Sequence, residues 1–334
     1  IDAWNTLGHC LWKKKDLLGA KSCYLSALEK EHNKKSLQQL SMILRQIKGD
    51  SEIMLRNLVD SLARAKAAVE LDLNDSMSWY VLGNAHMTMF FKASFSETDM
   101  NKALQAYNRA EQLGGETNPD LFFNKANVLM YKERYQEAAN AVKIAMDLDP
   151  SLPAQGVLED IEHWMKRVHE FYSRKGKLSA KRLLKLADGI KCLPPAEGHE
   201  ITSIEQLQPE ANPAKTLHLK MIVPLGSNEN PPAHFLCTDL NTDVVVLSVY
   251  HVDKYMGGSF TANDVITVLE PFYTEIAFTK DPNITENENA VEEEPNEIRY
   301  KCVQIFDPSN FLLNDKPISK AFALPTCDTD FFDK

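Results

Sequence analysis

A helix-turn-helix unit of about 34 residues recurs in the first half of the chain and limits what it can fold into. Residues 1–32 align with residues 118–150, and the aligned pairs are Trp4 with Phe122, Leu7 with Lys125, Gly8 with Ala126, Leu11 with Leu129, Ala20 with Ala138, Tyr24 with Val142 and Ala27 with Ala145. Small residues stand where two helices press together, and large apolar residues fill the space between them. Such a unit cannot bury its apolar face alone, so the pattern predicts stacked copies.

Two further copies lie between these. One begins at Ser76 with Trp79, Leu82 and Gly83 in the signature places, and residues 90–99 form a predicted inserted loop before its second helix. The other occupies residues 34–75, with an insertion from Asp50 to Leu58. The spacing is that of the tetratricopeptide repeat, and it predicts four repeats at about 1–33, 34–75, 76–117 and 118–152. Stacked in this way, they form an all-α solenoid with a concave groove.

The period of the apolar residues changes along the second half. Residues 153–192 keep helical spacing and predict a capping helix followed by a basic helix, and residues 193–214 predict a polar, proline-containing linker. From residue 215 the period becomes 2, and six segments predict strands, the third of them central in the sheet. Residues 215–334 therefore predict a small all-β barrel of the OB-fold type, which makes the chain an α+β multidomain protein.

Composition excludes several classes of protein. The chain has 334 residues, of which 44% are hydrophobic, without a long apolar window or a signal-peptide pattern, so neither a membrane span nor secretion is predicted. The formal charge of −10 falls on residues 215–334, with nine Lys/Arg against 19 Asp/Glu. Because the chain starts at Ile1 inside a helical pattern, we expect a fragment with further repeats on its N-terminal side.

No pattern indicates catalysis. The six cysteines are dispersed, the nine histidines lack metal-ligand spacing, and the phosphate-loop, nucleophile-elbow and metal-helix motifs are absent from the sequence. We therefore predict a non-enzymatic protein with no catalytic residues, no metal and no cofactor.

The groove is the predicted binding site. In solenoids of this kind, positions 2, 5, 9 and 12 of each repeat point into the groove, and here they are His9, Trp12, Arg45, Tyr80, Asn84, Met87, Asp120, Phe123 and Asn127. Each asparagine can hold an extended peptide backbone through one donor and one acceptor. Arg45 and Asp120 would present opposite charges to such a peptide. The alternatives are a solvated surface charge for Arg45 and a helix N-cap for Asp120, since Asn118-Pro119 precedes it.

Two other surfaces are candidates. The run from Lys166 to Lys191 holds nine Lys/Arg against two acids, and its closest cluster consists of Arg174, Lys175, Lys177, Lys181 and Arg182. The cluster predicts either contact with RNA phosphates or an ordinary solvated helix face. On the barrel, His234, Phe235, Tyr250 and His251 could line a binding face. The acidic charge of the barrel favours a protein partner there, because it repels nucleic acid.

The order of the domains, together with AWNTLGHCLWKKKD, SLQQLSMILRQI, SWYVLGNAHM, NPDLFFNKANVLMYKERYQEAA and SRKGKLSAKR, resembles the tetratricopeptide repeat protein five (Strap) family over the whole chain. The resemblance implies two roles. One is a ribosome-associated factor that recognises the N-terminus of nascent tubulin and triggers decay of its messenger RNA through effector proteins. The other is a stress-responsive nuclear cofactor that scaffolds an acetyltransferase coactivator complex acting with p53, its barrel contacting chromatin or DNA.

The resemblance also implies residue roles. Tubulin chains begin Met-Arg-Glu, and the family implies that Arg45 pairs with the peptide's Glu while Asp120 receives its Arg. It implies that the basic cluster contacts ribosomal protein and RNA near the exit tunnel. We expect a protein of both cytoplasm and nucleus, with the peptide reader as the first hypothesis and the transcription cofactor as the alternative.

Overall fold

The computed structural model describes residues 1–226, 232–250, 264–280 and 295–317. These residues form two compact units. The first contains Ile1–Lys132 and Asn140–Gln155, and the second contains Glu133–Ala139 and the described residues from Gly156 onward.

The first unit consists of helix pairs, as the repeat predicts. Their bounds are α1 (Asp2–Lys13) and α2 (Leu17–Lys30), α3 (Lys34–Leu44) and α4 (Ser51–Leu71), α5 (Ser76–Met89) and α6 (Glu97–Gln112), and α7 (Pro119–Tyr131) followed by α8 (Tyr135–Leu148). Short polar side chains begin most of them by accepting a backbone N–H three residues ahead, which satisfies one of the free donors of a helix start. The capping residues are Asp16, Asn33, Asp50, Asp75 and Asn118.

Glycine and tyrosine match one another where paired helices meet. A Cβ on Gly8 would lie 2.8 Å from Cζ of Tyr24, and a Cβ on Gly83 would lie 2.5 Å from Cε1 of Tyr107. In the fourth repeat the corresponding residues are Ala126 and Val142, both fully buried. A larger residue at the glycine position therefore goes with a smaller one at the tyrosine position, as close packing requires.

The two insertions are helical. The residues inserted after Asp50 extend α4, which begins at Ser51. Residues 90–99 are not the predicted loop, because Phe90–Ser94 continue α5 as a π-helical turn and α6 starts at Glu97. Asp99 secures this turn, since Oδ1 lies 2.8 Å from Nδ1 of His86 and Oδ2 accepts from the Ser94 hydroxyl at 2.6 Å.

The second unit contains two helices and a curled sheet. The helices are α9 (Ala154–Ser173) and α10 (Ala180–Asp188), and the strands are β1 (Glu200–Thr202), β2 (Glu210–Ala211), β3 (Lys215–Pro224), β4 (Ala233–Thr238), β5 (Val244–Val249), β6 (Val265–Leu269), β7 (Phe272–Thr279), β8 (Glu297–Ile305), β9 (Phe311–Leu313) and β10 (Lys316–Pro317). All six predicted strands are present as β3 to β8, and the third, β5, is buried along its whole length.

The strand order closes the sheet. Neighbours run β6-β3-β4-β5-β8-β7, with β5 and β8 parallel and the other pairs antiparallel. β6 and β7 stand at opposite ends of this path, yet only Glu270 and Pro271 separate them along the chain. They act as two halves of one bent strand, so the sheet forms the five-stranded Greek-key barrel of an OB-fold.

Residues 193–214 are not a plain linker. β1 pairs in parallel with β3, and β2 pairs with β7. The Asn212 side-chain amide donates to the carbonyls of Gln208, Glu210 and Pro271, which fixes this segment on the barrel. Strands of three and two residues are too short to show a period of 2, so the sequence could not reveal them.

The helix predicted to cap the repeats belongs by its contacts to the second unit. The Tyr172 hydroxyl of α9 accepts the backbone N–H of Lys301, and the Arg167 guanidinium donates to the carbonyl of Leu225. The domain boundary predicted at residue 152 is therefore close to where the second unit takes up the chain, but this unit includes the predicted capping and basic helices as well as residues 133–139.

Candidate peptide-binding groove and basic surface

A pocket of about 770 Å³ opens in the first unit around the first turns of α3, α5 and α7. These helices are the first helices of the second, third and fourth repeats. The lining residues are Lys34, Met42, Asp72, Asn74, Asp75, Ser76, Met77, Tyr80, Leu113, Gly114, Gly115, Thr117, Asn118, Pro119 and Asp120. Two of the predicted groove residues, Tyr80 and Asp120, are thus brought together in one concave site.

Two of the pocket's three carboxylates are already paired. The Lys34 ammonium lies 2.6 Å from Asp72 Oδ2 and 2.9 Å from Asp75 Oδ1. Hydrogen bonds to these aspartates raise the pKa of Lys34, and the bond to Lys34 lowers the pKa of Asp72. Asp75 also caps α5 by accepting the backbone N–H of Ser78 at 2.9 Å. Lys34 thus offsets one of the two negative charges, and both aspartates already have a partner.

Asp120 differs from them. The side chain of Asn118 caps α7 by accepting the N–H of Leu121, so Asp120 is not the N-cap. Its side chain is exposed in the first turn, and no hydrogen bond or ion pair is recorded for its carboxylate in the described part of the chain. Asp120 is therefore available to a cation that enters the pocket.

Arg45 is not a solvated surface charge. It ends α3, is half-buried, and donates from Nη1 to the Thr88 hydroxyl at 3.3 Å and from Nε to the carbonyl of Ser41 at 3.4 Å. Thr88 in turn donates to the carbonyl of Asn84 at 2.7 Å, which fixes its hydroxyl. Burial lowers the pKa of Arg45, but a guanidinium stays charged at neutral pH. Within the described residues two of its five N–H donors are used, and the others can meet a carboxylate.

Asn84 lies below the groove surface. Its side chain is buried, and its Oδ1 accepts from the Tyr107 hydroxyl at 2.6 Å and from Asn124 Nδ2 at 3.0 Å. Tyr80 and Met87 are buried with it, and the Tyr107 hydroxyl also lies 3.5 Å from the sulfur of Met87. The expectation that Asn84 grips a peptide backbone is corrected by this placement, because its carbonyl oxygen already holds two helices together.

Tyr80 lines the pocket with Asp120, whereas Arg45 is not among the lining residues. Burial raises the pKa of Tyr80, a hydrogen bond with Asn84 lowers it, the charge of Asp120 raises it and the charge of Arg45 lowers it. Both charges therefore act on one phenol. The Asn124 amide lies 3.5 Å from the same hydroxyl.

Asn124 is a residue that the sequence analysis missed. Its place in the repeat is that of Thr6 and of Val81, and Val81 is fully buried. A polar residue at a position that is buried and apolar in another repeat was the available signal. Thr88, which positions Arg45, gave no signal of its own.

The remaining groove candidates are spread out. His9 is exposed, and Trp12 is half-buried with its indole N–H donating to Oε1 of Gln46 at 2.9 Å. Phe123 and Asn127 are half-buried on α7. Neither pair is part of the pocket lining.

The basic cluster is exposed. Lys177 lies 2.5 Å from the Glu170 carboxylate, and Lys175 donates to the carbonyl of Thr242 at 3.1 Å. Lys181 and Arg182 are exposed in the first turn of α10, which has no side-chain cap. Cations at a helix N-terminus oppose the helix dipole, so their position does not stabilise the helix. The cluster can present positive charge to an external anion.

The barrel candidates lie on different faces. His234 and Phe235 are neighbours on β4, so their side chains point to opposite sides of the sheet. Phe235 belongs to the barrel core, which corrects its predicted place on a binding face. His234 and Tyr250 bond to Glu133, and His251 lies outside the described residues.

The described residues contain neither a metal-binding cluster nor a membrane-spanning helix. No group of three or more His, Cys, Asp or Glu side chains there could hold a metal ion. None of the helices in that part of the chain combines the length and the apolar character needed to cross a bilayer.

Helix pairs with a concave charged groove, followed by a closed barrel, define a tetratricopeptide-repeat protein with an OB-fold domain. Residues 198–326 match the family profile "Tetratricopeptide repeat protein 5 OB fold domain", and residues 1–29 match a tetratricopeptide repeat profile. The chain is 31% identical over 289 residues to tetratricopeptide repeat protein 5 of Homo sapiens and 32% identical to that of Bos taurus. Each match covers 81% of this chain, and the chain spans 65% of the length of each relative.

These matches confirm the resemblance to the tetratricopeptide repeat protein 5 family, and residues 198–326 match the profile of that family's OB-fold domain. Among solved structures, a tetratricopeptide repeat protein of Thermus thermophilus is 17% identical, with a TM-score of 0.43, covering 53% of this chain and 88% of that protein. The family and its repeats, which are typically non-enzymatic scaffolds, support a protein-binding adaptor role.

Proposed function

We propose that this chain is a peptide-binding adaptor that recognises the Met-Arg-Glu N-terminus of nascent tubulin at the ribosome and triggers tubulin mRNA decay through effector proteins. The feature that supports the proposal is an arginine and an aspartate on the first helices of the second and fourth repeats. Arg45 is held by Thr88 with donors to spare, Asp120 is exposed and unpaired in the described part of the chain, and both act on Tyr80.

The two charges suit the order of the peptide. Asp120 would receive the peptide's Arg at the pocket, while Arg45 would meet its Glu through a bidentate contact. Because Lys34 pairs with both Asp72 and Asp75, Asp120 is the carboxylate of the pocket lining that is open to a cation of the peptide. The presence of both Arg45 and Asp120 favours a ligand that carries one charge of each sign.

The test compares a labelled Met-Arg-Glu-Ile peptide with the same peptide in which Arg and Glu are exchanged. We expect order-dependent binding that Arg45→Ala reduces at least tenfold, because about 1.5–3 kcal/mol of charge-assisted bonding is lost. Arg56→Ala is the matched control, since Arg56 is exposed and pairs with Glu52 of its own helix. Equal binding of both peptides, or unchanged binding by a folded Arg45→Ala variant, would refute the proposal and favour the nuclear cofactor role.

We further propose that the basic cluster docks the adaptor on the ribosome. Lys181 and Arg182 are exposed in the first turn of α10, which has no side-chain cap, and adjacent cations at a helix N-terminus attract phosphate. The paired substitution Lys181→Glu with Arg182→Glu should weaken ribosome co-sedimentation and leave peptide affinity unchanged.

A matched charge reversal controls for net charge. Lys13→Glu with Lys14→Glu alters two adjacent exposed cations of the first unit by the same amount. Equal loss of co-sedimentation in both pairs would mean that total charge, and not the α10 surface, governs the association.

A further inference from the structure

One carboxylate in the second unit is fully buried. Glu133 begins the segment Glu133–Ala139, and its side chain has no exposed surface. An ionised carboxylate removed from water is strongly unfavourable unless hydrogen bonds replace its hydration. The groups that replace it all belong to the barrel.

Four oxygen or nitrogen donors converge on the two oxygens of Glu133, and the Cys302 thiol lies 3.9 Å from Oε2. Oε1 lies 2.8 Å from Nε2 of His234 and accepts from the Ser248 hydroxyl at 2.7 Å. Oε2 accepts from the Tyr250 hydroxyl at 3.0 Å and from Nε2 of Gln304 at 2.5 Å. A carboxylate offers about two acceptor positions on each oxygen, and here two oxygen or nitrogen donors meet each one. The site thus matches the hydrogen-bonding pattern of a carboxylate.

The donors form one row across the sheet. His234 of β4 is the register partner of Ser248 of β5, and Ser248 is the register partner of Gln304 of β8. The next row, Phe235, Leu247 and Val303, points to the other side and lies in the barrel core. Alternation along the strands therefore produces a polar row on the face formed by the second and third barrel strands, the face that OB-folds use for ligands.

The types of donor in this row favour a carboxylate over a phosphate as the ligand. Within the described residues, the groups that bond to Glu133 include neither lysine nor arginine. Phosphate groups are usually bound by such permanent cations, whereas a single carboxylate can be satisfied by neutral donors and one imidazole. Trp164 covers the imidazole, with ring centroids 4.3 Å apart, and helps to keep water from it.

We propose that the OB-fold barrel of this chain carries a carboxylate-binding site and that Glu133 is its internal ligand. The barrel face that other OB-folds offer to oligonucleotides is used here to hold a side chain of the same polypeptide. An external ligand of this site must bring a carboxylate and displace Glu133.

The first test removes the ligand without disturbing the backbone. Glu133 has a φ of 57°, a left-handed conformation that glycine adopts freely, so Glu133→Gly deletes the side chain at a compatible position. We expect the melting temperature of the full chain to fall by about 10 °C, since four buried donors lose their acceptor. Sodium acetate at about 100 mM should recover part of this loss by binding the empty site.

Three controls test whether the stabilisation by acetate is specific to the Glu133 site. Lys15→Gly alters the corresponding turn of the first repeat, where Lys15 is exposed, and acetate should not affect it. Acetamide has the shape of acetate without its charge, and phosphate at equal ionic strength has charge without the shape. Unchanged stability of Glu133→Gly, rescue by acetamide as strong as by acetate, or stronger rescue by phosphate would each overturn the proposal.

A second test holds even where Glu133→Gly fails to fold. Gln304→Glu sets two carboxylates against each other, whereas combining it with Glu133→Gln returns one carboxylate and one amide to the site with their places exchanged. We expect the double variant to be markedly more stable than Gln304→Glu alone. A double variant no more stable than the worse single variant would contradict a specific carboxylate site.

Discussion

The turns between the two helices of the first and fourth repeats share a left-handed residue, but the side chain of that residue is exposed in one turn and buried in the other. Lys15 and Glu133 occupy equivalent places, five residues before Ala20 and Ala138, and both are left-handed, with φ of 64° and 57°. Lys15 is exposed, and its backbone N–H donates to the carbonyl of Trp12. Glu133 is buried and bonds to strands of the barrel.

The difference shows which property belongs to the repeat and which to its surroundings. A left-handed residue ends the first helix in both repeats, because the hairpin needs that backbone conformation to reverse the chain. Glycine would be the least strained residue at either position. At residue 15 the turn only needs a side chain that tolerates exposure to solvent. At residue 133 the glutamate side chain is also required by the hydrogen bonds of the barrel.

Exchanging the charges of the two turns should give the largest contrast. Glu133→Lys would bury an ammonium among hydrogen-bond donors, and we expect a loss of about 4 kcal/mol in the free energy of unfolding. Lys15→Glu should change it by less than about 0.5 kcal/mol, as surface substitutions do. Guanidinium unfolding of the two variants measures both values, and similar losses would show that the turns are equivalent after all.

Acid should distinguish the turns by a smaller amount. Burial raises the pKa of Glu133, but the hydrogen bond and charge of His234 and the bonds from Ser248 and Gln304 outweigh it and hold the pKa below its usual value. The ionised form is therefore favoured in the folded state. Its contribution is complete above the unfolded pKa of about 4.3 and is lost as the pH falls through the folded pKa.

The measurement is the stability gap between the wild type and Glu133→Gln as a function of pH. We expect the gap to narrow as the pH falls below about 4.3, because protonation removes the ionised carboxylate that the folded state favours. The gap between the wild type and Lys15→Gly should stay constant there, because that substitution leaves the Glu133 carboxylate in place in both proteins. A Glu133→Gln gap that widens in acid would reverse the sign of the assigned pKa shift.

The smallest expected effect is a gain. Lys15→Gly should stabilise the chain by about 0.5–1 kcal/mol, because it relieves the left-handed strain of a residue with a Cβ and removes only an exposed side chain. Thermal unfolding beside Lys14→Gly provides the control, as Lys14 has φ of −80° and gains nothing from glycine. A loss at residue 15 would mean that the lysine side chain has an unrecognised contact.

The spacing of residues along the sequence was sufficient to predict much of the fold. The repeat pattern placed Gly8 and Gly83 where paired helices press together, and in the structure each lies against a tyrosine of the second helix. The six strands β3 to β8 could also be predicted, because each is long enough to show a strand pattern in the sequence. In the groove, the repeat positions correctly brought Tyr80 and Asp120 into one pocket lining.

The repeat pattern could not show which groove positions are exposed and which are buried beneath the groove surface. Asn84 stands at a position that faces the groove in the repeat pattern, but Tyr107 and Asn124 reach its oxygen from α6 and α7. Whether an amide contacts a ligand or a neighbouring helix depends on side chains from other helices. The spacing of residues along one helix does not show which of those side chains will contact it.

The sequence by itself determined the helix pairs, the strands and the opposite charges of Arg45 and Asp120, because each depends on a local pattern or on residue type. Only the tertiary structure decided that β1 and β2 complete the barrel sheet and that Glu133 is buried. The donors to Glu133 lie on β4, on β5 and just after it, and on β8, far along the chain from it. Burial of a charge depends on groups that only folding brings together, so a glutamate in a polar turn looks the same as a solvated one until the strands are in place.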